Sequence, residues 1–204
     1  RTSKTAGLSG SFAWDTSMVL DSNSRISLSN NDSGGTGGID STSGNTVLGY
    51  DAGTAIASGG TNNSVFGHKA GTALTTGNTN VAIGARALRS EDTGHSSVAI
   101  GYDALGLQAS DADEIAANVG IGKDSGYYNV LGQENTYVGY KAGQGASGQS
   151  NSENTGIGKE ALKDVTTGGL NVAVGKYALN SLTDGDENTA VGRNAGAALT
   201  TGHR

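Results

Sequence analysis

A nine-residue motif, Asn-x-x-(Val/Ile/Leu/Phe)-Gly-x-x-Ala-(Gly/Leu), recurs nine times along this chain and constrains the fold more than any other feature. The copies read NTVLGYDAG, NSVFGHKAG, NVAIGARAL, SVAIGYDAL, NVGIGKDSG, NTYVGYKAG, NTGIGKEAL, NVAVGKYAL and NTAVGRNAG. Their glycines are Gly49, Gly67, Gly84, Gly101, Gly122, Gly139, Gly158, Gly175 and Gly192, spaced 17 to 21 residues apart. In most copies a second glycine follows ten residues later, as at Gly59, Gly77, Gly94, Gly132, Gly168, Gly185 and Gly202. Two glycine-marked corners separating two strand-length segments describe one coil of a parallel β-roll. The period is too short for helix-pair repeats, which need more than about 30 residues. The expected fold is therefore all-β, a β-solenoid of nine coils of about 17 residues each.

Side-chain alternation predicts which way each residue points. One residue before the motif glycine stand Leu48, Phe66, Ile83, Ile100, Ile121, Val138, Ile157, Val174 and Val191. Three before it stand Thr46, Ser64, Val81, Val98, Val119, Thr136, Thr155, Val172 and Thr189. These apolar or β-branched positions share a strand face, and the expectation is that they fill the coil as its core ladder. Ala or Ser lies three after the glycine, and Ile56, Leu74, Val165, Leu182 and Leu199 lie seven after it; both sets are expected inside. The residue two before the glycine is small or apolar in most copies (Val47, Val65, Ala82, Ala99, Gly120, Tyr137, Gly156, Ala173, Ala190). A strand with two apolar faces needs a second layer, so this face is expected to meet other subunits. Four before the glycine stand Asn45, Asn63, Asn80, Asn118, Asn135, Asn154, Asn171 and Asn188, with Ser97 in the remaining copy. They predict an asparagine ladder, hydrogen-bonded from coil to coil at a corner.

Residues 1–40 lack the repeat. MVLDSNSRISLS, residues 18–29, reads as a β-hairpin with a polar turn, and the only Trp, Trp14, precedes it. A Gly/Ser-rich stretch then leads into the coils. The expected organisation is an N-terminal β adaptor or cap over residues 1–40 and a solenoid over residues 41–204. The chain opens on Arg1 and stops where a further coil should begin, so a longer parent chain is expected.

The copies NTAVGRNAG at 188–196 and NVAVGKYAL at 171–179 resemble repeats of bacteriophage tail fibres, and the likeness extends over residues 45–202. The hairpin segment is similar to those preceding such repeats. More distantly, SVAIGYDAL at 97–105 resembles the head repeats of trimeric autotransporter adhesins. The resemblance implies a left-handed homotrimeric roll. It implies a structural or adhesive segment of an extracellular fibre, on a virion or at a cell surface, that joins other fibre or virion proteins in host attachment. The alternative is the head of a bacterial surface adhesin.

The residues one and two after the motif glycine are polar and variable, and are expected on the surface. There Asp51 should lie near Lys69 and Arg86 near Asp103. Tyr50, Tyr102 and Tyr140 share one of these positions and could stack on a host glycan. In the fourth copy an insertion carries Asp111, Asp113 and Glu114, a weak candidate for a hard cation without calcium-loop spacing. No cofactor is expected. His68, His95 and His203 sit at unrelated repeat positions and no nucleophile–base motif emerges, so an enzyme is not expected. Lyase-type β-helices need longer coils, and the Thr pairs skip too many coils for an ice-binding array. A net charge of -6 argues against nucleic-acid binding. No apolar run approaches the ~20 residues of a membrane span, so no membrane insertion is expected.

Overall fold

The computed structural model describes residues 44–57, 59–110, 115–148 and 150–202. The adaptor expected over residues 1–40 lies outside these residues. Within them the chain is all-β and contains no helix. Nine three-residue strands form one parallel sheet in sequence order: β1 Thr46–Leu48, β2 Ser64–Phe66, β3 Val81–Ile83, β4 Val98–Ile100, β5 Val119–Ile121, β6 Thr136–Val138, β7 Thr155–Ile157, β8 Val172–Val174 and β9 Thr189–Val191. Each strand pairs with the next in the register set by the motif, as in Val81↔Val98 and Ile83↔Ile100. The result is a β-solenoid of about 8 turns. At ~4.8 Å per rung the sheet is roughly 40 Å long.

Coil-to-coil hydrogen bonds continue beyond the strands. Gly53 N donates to Ala70 O at 2.9 Å, Lys69 N to Tyr50 O at 2.8 Å and Thr79 N to Thr61 O at 2.9 Å. The backbone of one coil thereby serves as the partner for the next, and few main-chain groups depend on water.

Each coil carries one strand, not the two expected. Left-handed backbone recurs two and four residues after the motif glycine, as at Arg86 (φ 62) and Leu88 (φ 50), and five before it, as at Thr79 (φ 57). These kinks bend the rest of each coil into turns. An isolated bridge, His95↔Ile115, is the pairing found outside the named strands.

The motif glycine is fixed by two constraints. Its φ lies between 124 and 139 in all nine coils, a region that L-residues rarely enter. A Cβ on Gly84 would also lie 2.7 Å from the carbonyl oxygen of Gly101 in the next coil. The glycines stack backbone on backbone, and any side chain would separate the rungs.

The strand faces are the reverse of the expected assignment. Val65, Ala82, Ala99, Tyr137 and Ala173, two before the glycine, are fully buried inside the coil. The expected core ladder lies on the outer face: Leu48, Ile83, Ile157 and Val191 are exposed, while Phe66, Ile100, Ile121, Val138 and Val174 are half-buried. Interior volume explains the inversion. A coil this narrow accepts Ala, Gly or Val from the strand, and the remaining space goes to the residue four after the glycine. Where the strand offers Ala82, Ala99, Gly156 or Ala173, that residue is Leu88, Leu105, Leu162 or Leu179. Where it offers Val47, Val65 or Tyr137, the residue is Gly53, Gly71 or Gly143. In the fifth coil both positions are glycine, and Gly120 and Gly126 make room for Leu105 from the coil before, with Tyr137 from the coil after also against Gly126.

The small residues three after the glycine are inside as expected, from Ala52 through Ser125 to Ala178. So are Leu74, Val165 and Leu182 at the seventh position, whereas Ile56 is half-buried and Leu199, in the last described coil, is exposed.

Candidate binding surface

Three features of the coil bear on function: the asparagine ladder, a polar seam in the core, and the outer face with its adjoining rim.

The expected ladder forms, and its geometry is more specific than stacking. Asn45 Oδ1 accepts from Asn63 N at 2.8 Å, Asn63 Oδ1 from Asn80 N at 2.9 Å and Asn171 Oδ1 from Asn188 N at 2.9 Å. Each amide also spans its own coil. Asn63 Nδ2 donates to Gly77 O at 2.8 Å, Asn80 to Gly94 O at 2.8 Å and Asn171 to Gly185 O at 2.7 Å. The asparagine thus ties the strand to the second glycine corner, fourteen residues on. Ser97 interrupts the ladder, and the buried Gln108 bridges the gap. Its Nε2 donates to Ser97 Oγ at 2.9 Å, and its Oε1 accepts from Asn118 Nδ2 at 3.1 Å. The ladder is internal and structural.

The seventh position after the glycine, apolar at both ends of the solenoid, becomes Glu91, Gln108 and Asn129 in the middle coils. All three are buried; Glu91 and Gln108 share their coils with the first apolar core cluster, which runs to Leu105, and Asn129 lies in the coil between it and the second, which begins at Tyr137. Among the described residues no cation pairs with Glu91. Its carboxylate accepts from Gly94 N at 2.7 Å, Gln108 Nε2 at 2.7 Å and Ser110 Oγ at 2.9 Å, so hydrogen-bond donors take the place of water around it. Tyr137 closes the seam, donating its hydroxyl toward Asn151 Oδ1 and Asn135 Oδ1. Full burial pushes that hydroxyl well above the ordinary phenol range. Sequence reasoning missed the seam, although three amide or carboxylate side chains at one repeat position were its signal.

Past the glycine corner, a rim of aromatic and basic side chains runs along the solenoid. Tyr102 lies between Arg86, 5.4 Å from its ring centre, and Lys123 at 5.7 Å. Tyr140 is flanked by Lys123 at 5.8 Å and Lys159 at 5.5 Å. Tyr177 follows, with Lys159 at 5.8 Å and Lys176 at 4.7 Å. Tyr50 stacks on His68 with ring centres 5.5 Å apart. Tyr50, Tyr102 and Tyr140 are exposed, as expected of them. Arg86 meets Asp103 at 3.0 Å, the expected pair, and Arg89 joins the same carboxylate at 3.1 Å. Asp103 itself is buried, against the expectation that this position faces water. Tyr177 and then Glu160 hold the Lys159 ammonium above its ordinary value, so it keeps its charge across the neutral range.

Asp111, Asp113 and Glu114 lie outside the described residues. Among the described residues no group of three or more metal-ligating side chains is present, and no helix is long and apolar enough to cross a membrane. No protein-family model, curated protein or solved structure matches the chain.

Proposed function

We propose that the chain is a structural and adhesive segment of a trimeric extracellular fibre of the phage tail type, serving host attachment and joined to other fibre proteins. The observation that carries this reading is the outer strand face. It presents Leu48, Ile83, Ile157, Val172 and Val191 exposed, each at one of two repeat positions. Apolar surface arranged as one continuous stripe signals a partner. Isolated surface leucines need no such explanation. The stripe repeats at the rung spacing of a β-sheet, and the surface that matches that period rung for rung is another copy of the same rod. Rings of identical chains around a common axis are the usual closed form for such contacts. The expectation that a strand face meets other subunits is therefore kept, with the face exchanged. A rod of backbone-bonded coils also suits a shaft, because every coil rests on its neighbours.

Sedimentation equilibrium tests the reading. The proposal expects a particle of about three times the 20.2 kDa chain mass with a β-type spectrum. A folded single chain that persists at high concentration contradicts it.

A further inference from the structure

We infer that the rim carrying Tyr102, Lys123, Tyr140 and Lys159 binds a linear acidic polysaccharide laid along the solenoid axis. Charge distribution is the first support. All nine Lys and Arg among the described residues fall one to six residues after a motif glycine, beside five carboxylates in the same stretch. The rest of each coil holds seven carboxylates and no Lys or Arg among the described residues. In a chain of net charge -6, random placement does not collect all nine of these described cations on one edge.

Ring placement is the second support. From the third coil to the eighth, cation and tyrosine alternate in the order Arg86, Tyr102, Lys123, Tyr140, Lys159, Tyr177. At ~4.8 Å per rung, successive tyrosines recur about every 10 Å. Extended pyranose chains advance by about one rung per sugar, so every second sugar can meet a tyrosine edge and an acid group can reach the cation between. With cations over their faces, Tyr102 and Tyr140 present a rigid ring edge with a polar tip to the sugar.

The third support is concavity. At the start of the rim, His68, Lys69, Thr72, Arg86 and Arg89 line an open groove, with Asp103 behind the two arginines. Both arginines pair with Asp103, and their remaining N–H groups with the Lys69 ammonium are donors that a carboxylate or sulfate can use.

Single-stranded nucleic acid also combines charge with stacking. The two-rung alternation of cation and tyrosine matches every second unit of an extended sugar chain, so the acidic polysaccharide is favoured and oligo-dT binding is an outcome of the test. The rim lies past the glycine corner from the strand face, and both surfaces can be occupied together. The inference does not require the trimer. Its test reads ligand binding, whereas the proposed fibre is tested by mass.

The experiment is affinity electrophoresis and calorimetry of the whole chain with polygalacturonate, its methyl-esterified neutral form, and oligo-dT. The inference expects retardation by polygalacturonate alone, weakened roughly fivefold by Tyr140→Ala and more by Lys123→Ala/Lys159→Ala. A Glu134→Gln/Glu153→Gln variant on the other half of the coil should bind at least as well as the parent. Circular dichroism establishes that each variant keeps its fold. Equal binding of the neutral ester, preference for oligo-dT, binding that ignores Tyr140, or no binding at all would overturn it.

Discussion

At the residue scale, two positions carry most of the account. Tyr137 replaces the usual alanine inside the coil, and its ring occupies space left by Gly126, Gly143 and Gly156. Tyr137→Ala should cost about 3–5 kcal/mol through the cavity it leaves, and Tyr137→Phe about 1–3 kcal/mol through buried amide oxygens that lose a donor. The buried hydroxyl also fixes a pH dependence. Its folded-state pKa is raised by burial, so the folded chain keeps the proton. The contribution is constant below the unfolded value of about 10 and falls as pH rises above it, where only the unfolded chain ionises. Urea titrations across that range should show stability dropping with pH in the parent and a shallower drop in Tyr137→Phe; parallel profiles would contradict the assignment. The motif glycine is the second position. Gly122→Ala sets a Cβ 2.6 Å from the Gly139 carbonyl oxygen, at φ 124. A loss of about 2 kcal/mol or more is expected from backbone strain and separated rungs. Thermal melting checks it.

At the scale of one coil, the asparagine joins strand to corner and coil to coil. Asn171→Ala strands Asn188 N and Gly185 O together, and a loss of about 2–4 kcal/mol is expected. Asn171→Asp keeps the acceptor and should recover part of it, as read by urea denaturation. The coil is also where sequence and structure can be compared. The repeat, the parallel register, the inward alanines and the asparagine ladder were legible because each repeats in nearly every copy. The choice of inner face was not, because a period of two states that neighbours alternate and leaves open which side is enclosed. Ile83 and Ile100 read as core by hydrophobicity, yet the coil is too narrow to hold a branched side chain and Leu88 or Leu105 at once. The signal that decides the matter was present. Strand Ala82, Ala99 and Ala173 pair with leucine and strand Val47, Val65 and Tyr137 with glycine, six residues apart, as interior volume requires; the last coil, with Ala190 and Gly196, departs from this. The second strand failed for another reason. Left-handed backbone two after the glycine falls on residues such as Arg86 and Lys141 that carry no signature, and four after it the glycine signal of Gly53, Gly71, Gly126, Gly143 and Gly196 is masked by leucine in the other copies, as at Leu88 and Leu162. The surface aromatics were legible singly, at Tyr50, Tyr102 and Tyr140. Their alternation with cations was not, because Tyr177 stands one position off the others.

At the scale of the whole molecule, an apolar core at each end is joined by the polar seam of Glu91, Gln108, Asn129 and Tyr137. Buried networks of this kind favour one register over its neighbours, since a slip by one coil would set Glu91 among leucines. The outer stripe and the basic rim then leave a rod with two usable sides, one toward its own copies and one toward a ligand. Repetition of weak contacts along a rod suits adhesion, because several modest sites engaged together hold far more tightly than one. All of this depends on which strand face is enclosed. The chain has no cysteine, so single thiols placed at neighbouring positions report it directly. Ala82→Cys and Ile83→Cys should be labelled with a maleimide in the native protein, concentrated and dilute. The account predicts that residue 82 stays unreactive throughout, while residue 83 is protected in the concentrated assembly and reacts on dilution. Labelling at 82 with protection of 83 in the isolated chain would contradict it.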